Sequence, residues 1–113
     1  MSNSNAGPGG DLVEATVTFS PAAAGALTAA SATLNAGATG TPSYIGAVGN
    51  VNGYLSLTVL GQQTITVPFS ANAPPQYRPI PAKFFPTAIN SVSVGGYAAA
   101  AGSIAAIVGF RLK

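Results

Sequence analysis

The chain of 113 residues contains no cysteine, no histidine and no tryptophan. Without cysteine there is no disulfide and no thiol nucleophile. Without histidine there is no imidazole to act as a general base or to ligate a metal near neutral pH. Charge is nearly as scarce. Asp11, Glu14, Arg78, Lys83, Arg111 and Lys113 are the ionised side chains, 5% of the residues, where ordinary globular domains have about 25%. The stretches 15–77 and 84–110 carry no charge at all. Four basic groups spread along one chain cannot form the clustered stripe that neutralises several phosphates, so nucleic acid is not an expected partner. Dispersed charge keeps solitary proteins apart in solution. A surface this poor in it is expected to be covered by other protein.

The residues that remain offer little chemistry. Asp11 and Glu14 are the only carboxylates. A glycosidase pair must flank one bond from fixed positions, whereas these two lie beside a small-residue start and fall on opposite faces of any strand that includes both. They read as solvated strand charges, available for an intersubunit contact with Arg78 or Arg111. Serine and threonine are plentiful, but no base stands ready to activate one, and Lys83 and Lys113 lack a Ser-x-x-Lys spacing. The pairs Gly9-Gly10 and Gly95-Gly96 lack the lysine and the strand–helix setting of a phosphate loop. Gly95-Gly96 reads instead as a kink or bulge in a strand. The chain is therefore expected to be no enzyme and to use no cofactor or metal.

What is abundant is two-residue alternation. Residues 1–10 are small, polar and glycine-rich, and predict a flexible N-terminal arm ahead of a single β domain over 11–113. Val13, Ala15, Val17 and Phe19 alternate with Glu14, Thr16 and Thr18, a half-buried strand. Ser20-Pro21 followed by alanines predicts a short Ala-rich helix near 21–34, with Ser20 as N-cap. Residues 37–53 are turn-rich around a brief apolar piece, Tyr44 to Val48. Leu55, Leu57 and Val59, then Ile65, Val67 and Phe69, predict a β-hairpin. A three-residue loop keeps the apolar faces together by pairing Val59 with Ile65, Leu57 with Val67 and Leu55 with Phe69. The prolines of 71–87 exclude a central strand or helix there and predict an extended segment. Ile89, Val92 and Val94, then Ile104, Ala106, Val108 and Phe110, give two final strands, joined across 98–102 as an apolar C-terminal hairpin. Leu55, Leu57, Val59, Ile65, Val67, Phe69, Val108 and Phe110 are the predicted core. The fold class that follows is mainly β: an antiparallel β-sandwich or small barrel, jelly-roll-like, with at most the one helix.

The segment 74–86, Pro-Pro-Gln-Tyr-Arg-Pro-Ile-Pro-Ala-Lys-Phe-Phe-Pro, concentrates the unusual side chains. One reading makes it a long loop over one end of the sandwich, its aromatics plugging the core. The other makes it a docking element, because rigid extended segments lose little entropy on binding and aromatics with arginine anchor interfaces. Tyr77, Arg78, Lys83, Phe84 and Phe85, with Arg111, are the candidate interface residues. The N-terminus lacks the basic and apolar regions of a secretion signal. The uncharged run 88–110, followed by Arg111 and Lys113, is long enough for a bilayer helix, but Asn90, Ser91, Ser93, Gly95, Gly96 and Ser103 interrupt it.

A charge-poor Ala/Gly/Thr/Ser chain with a pliable arm, alternating strands and a proline-rich extended segment resembles the small β-rich decoration or cement proteins of bacteriophage capsids. The resemblance is one of composition and architecture along the whole chain and transfers no site residue. It implies a non-enzymatic virion protein, assembled in the host cytoplasm. Such a protein binds the outside of a capsid lattice, often as a trimer, and bridges neighbouring major capsid subunits. The apolar C-terminal hairpin departs from that pattern and suits a tail or spike component. A filament or pilus-type subunit, and a small membrane-associated protein using 88–110 as a helix, are the alternative readings.

Overall fold

A computed structural model of the chain describes residues 12–59 and 63–112. The predicted arm and the tip of the 53–69 hairpin lie outside the described residues. Eight strands follow one another: β1 (Leu12–Phe19), β2 (Gly25–Thr33), β3 (Gly40–Gly49), β4 (Gly53–Val59), β5 (Gln63–Phe69), β6 (Gln76–Pro79), β7 (Ser91–Ala98) and β8 (Ile104–Leu112). They form two four-stranded antiparallel sheets, β1-β8-β3-β6 and β2-β7-β4-β5. Pairing runs β4 with β5, β3 with β6, β2 with β7 and β1 with β8. The first half of the chain is thus laid against the second half as one long double ribbon. Rolling that ribbon up adds the β3–β8 and β4–β7 pairs. This is the jelly-roll arrangement, and the mainly β class expected from the alternation is what the chain adopts.

The apolar faces meet between the sheets. Leu55, Leu57, Ile65, Val67 and Phe69 from one sheet pack with Ile45, Ile104, Val108 and Phe110 from the other, all buried. Seven of the eight predicted core residues are among these; the Val59 side chain lies outside the described part. The four even-numbered residues from Ile104 to Phe110 on β8 are nearly inaccessible, as a period-two pattern in a sheet-central strand requires.

Five expectations need correction. The Ala-rich helix near 21–34 is the strand β2. Its segment has few large apolar residues at helical spacing, and as a strand its small side chains pair with β7, burying Ala32 and half-burying Leu27 and Ala30. The hairpin keeps the predicted faces but is slipped by two residues, with Leu57 opposite Ile65, Leu55 opposite Val67 and Gly53 opposite Phe69. A two-residue slip preserves every face, so alternation alone cannot choose; in the register adopted the Phe69 ring packs beside Gly53, 3.0 Å from where a side chain would begin. The turn-rich 37–53 stretch holds a ten-residue central strand, β3, bonded on both sides. Its turns are confined to the two ends, at Gly37 with φ 84° and at 50–52, where Asn50 accepts from the Ser103 amide at 2.9 Å and Asn52 from the Ala71 amide at 2.8 Å. The last two strands form no hairpin, since β7 and β8 belong to different sheets and 98–102 crosses between them. Residues 88–110 are accordingly these two strands, and no helix among the described residues is long and apolar enough to cross a membrane.

The proline-rich segment contributes β6, an edge strand bonded only to β3, then a single 3-10 turn at Ala82–Phe84. Pro79 ends the strand at the sheet's rim, where no ladder partner is lost. Gly95-Gly96 lies within β7 opposite a bulge in β2, where Leu27 and Ala30 flank the extra residue. Gly96 has a φ of 149°, and a side chain there would strike the Tyr54 carbonyl.

Candidate functional site

The sandwich presents two outer faces that differ in kind. Every charge in the described residues lies on the β1-β8-β3-β6 sheet (Glu14, Arg78, Arg111) or in the turn after it (Lys83). The β2-β7-β4-β5 sheet carries none. Its solvent side carries small hydroxyl and methyl side chains, with Ala26, Thr64, Thr66, Ser91 and Ser93 exposed. Two tyrosines stand out of it. Tyr54 and Tyr97 face each other across β4 and β7, their rings stacked with centroids 6.0 Å apart and planes 18° apart. They are 42% and 39% exposed, so a wet apolar platform sits on the two central strands, near one end of an ion-free surface.

The other outer face is organised by a bulge. On β3, Pro42 lies opposite Phe110 but Tyr44 opposite Gly109, so Ser43 is an extra residue in that strand. One added residue reverses the facing order. It leaves Ile45 and Ala47 inside and brings Tyr44 out. The Tyr44 ring then lies across Gly109 of the neighbouring strand, where a side chain would collide with it. The Tyr77 ring lies in the same way across Gly46, with its nearest carbon 2.5 Å from where a side chain would begin. Each tyrosine thus leans one strand toward β1 over a glycine, and the two rings meet edge to face, centroids 5.6 Å apart at 76°.

The Tyr44 hydroxyl reaches β1 and donates to the Glu14 carboxylate. That hydrogen bond, desolvation and the nearby negative charge all favour the neutral phenol, and its pKa is pushed up to about 12 from 10.0. A hollow of about 320 Å³ is lined by Glu14, Tyr44 and Tyr77. A second hollow, of about 240 Å³, is lined by Thr41, Pro42, Ser43, Ile80 and Arg111.

The six predicted interface residues divide. Tyr77 is on this face and 54% exposed. Arg111, also exposed, is on it too, opposite Leu12 on β1 and Thr41 on β3. Arg78 is exposed but opposite the inward-facing Ile45, hence on the other side of β6 from Tyr77. Lys83 is exposed in the 3-10 turn. Phe84 and Phe85 are half-buried against the core, so the capping role belongs to them and the outward role to Tyr77. Sequence reasoning missed Tyr44, Tyr54 and Tyr97. Their partners are cross-strand neighbours, and the only signal was for Tyr44, the unexplained glycine at 109.

A further concavity, about 570 Å³ along 18–30, is lined by small, apolar and hydroxyl side chains, none of them ionisable. Among the described residues no cluster of carboxylates could hold a metal ion. The arrangement can stack, donate hydrogen bonds and pair charges; it presents no activated nucleophile. Comparison with known proteins matches this chain to no family model, no curated protein and no solved structure.

Proposed function

We propose that the chain is a non-enzymatic virion structural protein. In this reading it is a decoration or cement subunit that docks on the outside of a capsid lattice by the uncharged face of its β2-β7-β4-β5 sheet. The observation that carries the reading is the absence of charge from that face among the described residues, with Tyr54 and Tyr97 exposed on its two central strands. Burying ions between proteins costs several kcal/mol each unless they are well paired, whereas hydroxyls and amides need only find hydrogen-bond partners. Tyrosine suits such a place because it offers broad apolar area with a polar tip.

A lattice repeats one docking site many times, so modest contacts add through multivalency. A subunit that binds only the assembled shell stabilises it by mass action. Jelly rolls build viral shell proteins and also lectins; the reading therefore leans on the surface rather than the fold. The test uses particles of the virus whose genome encodes the chain. The chain is expected in purified particles at a copy number matching the lattice, and particles lacking it should release their genome at a lower temperature until it is added back. Its absence from the particles, or release temperatures unmoved by its addition, would overturn the reading. Confinement to the tail or spike would move it to that component.

A further inference from the structure

We propose that two copies of the chain associate through the outer face of the β1-β8-β3-β6 sheet. Arg111 of each copy is seated on the Tyr44 ring and paired with the Glu14 carboxylate of the other. This rests on reading the chain as an assembling subunit, and names one of its contacts.

The face carries both signs, one step apart. Glu14, Gly109 and Tyr44 form one cross-strand row; Leu12, Arg111 and Thr41 form the next. The rows are two residues apart along β8, about 7 Å. The acceptor half is already assembled. Tyr44 covers Gly109 with its ring and holds Glu14 through its hydroxyl, so a flat aromatic surface abuts an oriented carboxylate. A guanidinium stacks on aromatic rings and pairs with carboxylates through its planar fork, which makes arginine the fitting occupant.

The same face supplies that arginine in a self-complementary position. A two-fold axis lying between the faces, running across the strands midway between the two rows, sets Arg111 of each copy over Gly109 of the other. Glu14 then flanks it on one side and Tyr44 on the other. Such an axis leaves strand order unchanged, so β8 faces β8 and every contact is made twice. Leu12, 48% exposed in the Arg111 row, comes over the other copy's Glu14 and shields the ion pair from water. The opposite sheet, having no charge, offers no comparable pairing. The overlap covers only part of the sheet, so the isolated dimer is weak and weakened further by salt.

The test is sedimentation of the full chain over a range of concentrations at low and high salt. Wild type, Glu14→Arg, Arg111→Glu and an equimolar mixture of the two variants are compared. Wild type should dimerise, less at high salt. Each variant places like charges opposite each other and should weaken dimerisation at least about tenfold, while the mixture should restore a heterodimer. Both positions are exposed, and cooperative circular dichroism melts confirm that the variants fold, Glu14→Arg at a slightly lower Tm because it loses the Tyr44 hydrogen bond. A monomeric wild type, a trimer, variants that associate like wild type, or a mixture that stays monomeric would each overturn the two-fold contact. Particle binding is read separately: a wild type that joins particles yet is monomeric alone removes this contact and leaves the docking reading intact.

Discussion

Replacing Gly109 by alanine should destabilise the protein, against the general rule for glycine in strands. A strand glycine ordinarily costs about 0.5–1 kcal/mol relative to alanine, so the substitution should help. Here the new methyl group enters the space occupied by the Tyr44 ring. The ring must lift, separating it from Tyr77 and from Glu14. An edge-to-face pair contributes about 0.5–1.5 kcal/mol, and a solvent-exposed hydrogen bond to a carboxylate about 1 kcal/mol. Setting the backbone gain against these losses leaves a net cost of roughly 1 kcal/mol, about a 4 °C fall in Tm for a domain of this size. Gly95→Ala is the control, because a side chain there meets nothing within 4 Å; it should be neutral or raise Tm. Thermal melts by circular dichroism read both. A Gly109→Ala protein as stable as the Gly95→Ala control would refute the account of why glycine stands under Tyr44.

Three further outcomes follow from the same packing. Val67→Asp should abolish folding, since Val67 is 1% exposed and an unpaired buried charge costs several kcal/mol, a large part of a small domain's stability; a wild-type melt would contradict the hairpin's inward face. Glu14→Gln should bring the Tyr44 phenol down from about 12 toward 10.0, read in the tyrosinate absorbance titration. The raised value stabilises the fold fully below pH 10 and is lost as pH climbs through about 12, so wild type should lose stability in that window and Glu14→Gln should lose less. Deleting residues 1–10, which are small, polar and glycine-rich, should leave the melt unchanged; weakened particle binding by the truncated chain would give those residues a part in assembly.

The faces of β4, β5 and β8 were legible because each alternates cleanly and buries one side, and that of β1 in its second half, where Ala15 and Phe19 are buried. What the sequence hid has identifiable physical causes. Around 25–33 alanine serves helix and strand alike, and only pairing with β7 decides. Along β3, the glycines at 40 and 49 read as turn signals although both lie within the strand, and 46 is small because the Tyr77 ring lies on it. Tyr44 was beyond reach of any periodicity argument, since the Ser43 bulge turns it outward and no local pattern announces an extra residue. The two-residue slip of the β4–β5 hairpin is invisible to alternation for the reason that faces repeat every two residues. The interface candidates around Tyr77 were found as a segment, but their division between core and surface needed the pairing of β6 with β3.

The account depends on the ion-free outer face being covered in the native setting. Hydroxyl-radical labelling followed by mass spectrometry measures this at Tyr54 and Tyr97, exposed at 42% and 39% in the isolated chain. Both should be labelled readily in the purified protein and protected several-fold in the intact particle. Equal labelling of the two tyrosines in both states would contradict the claim.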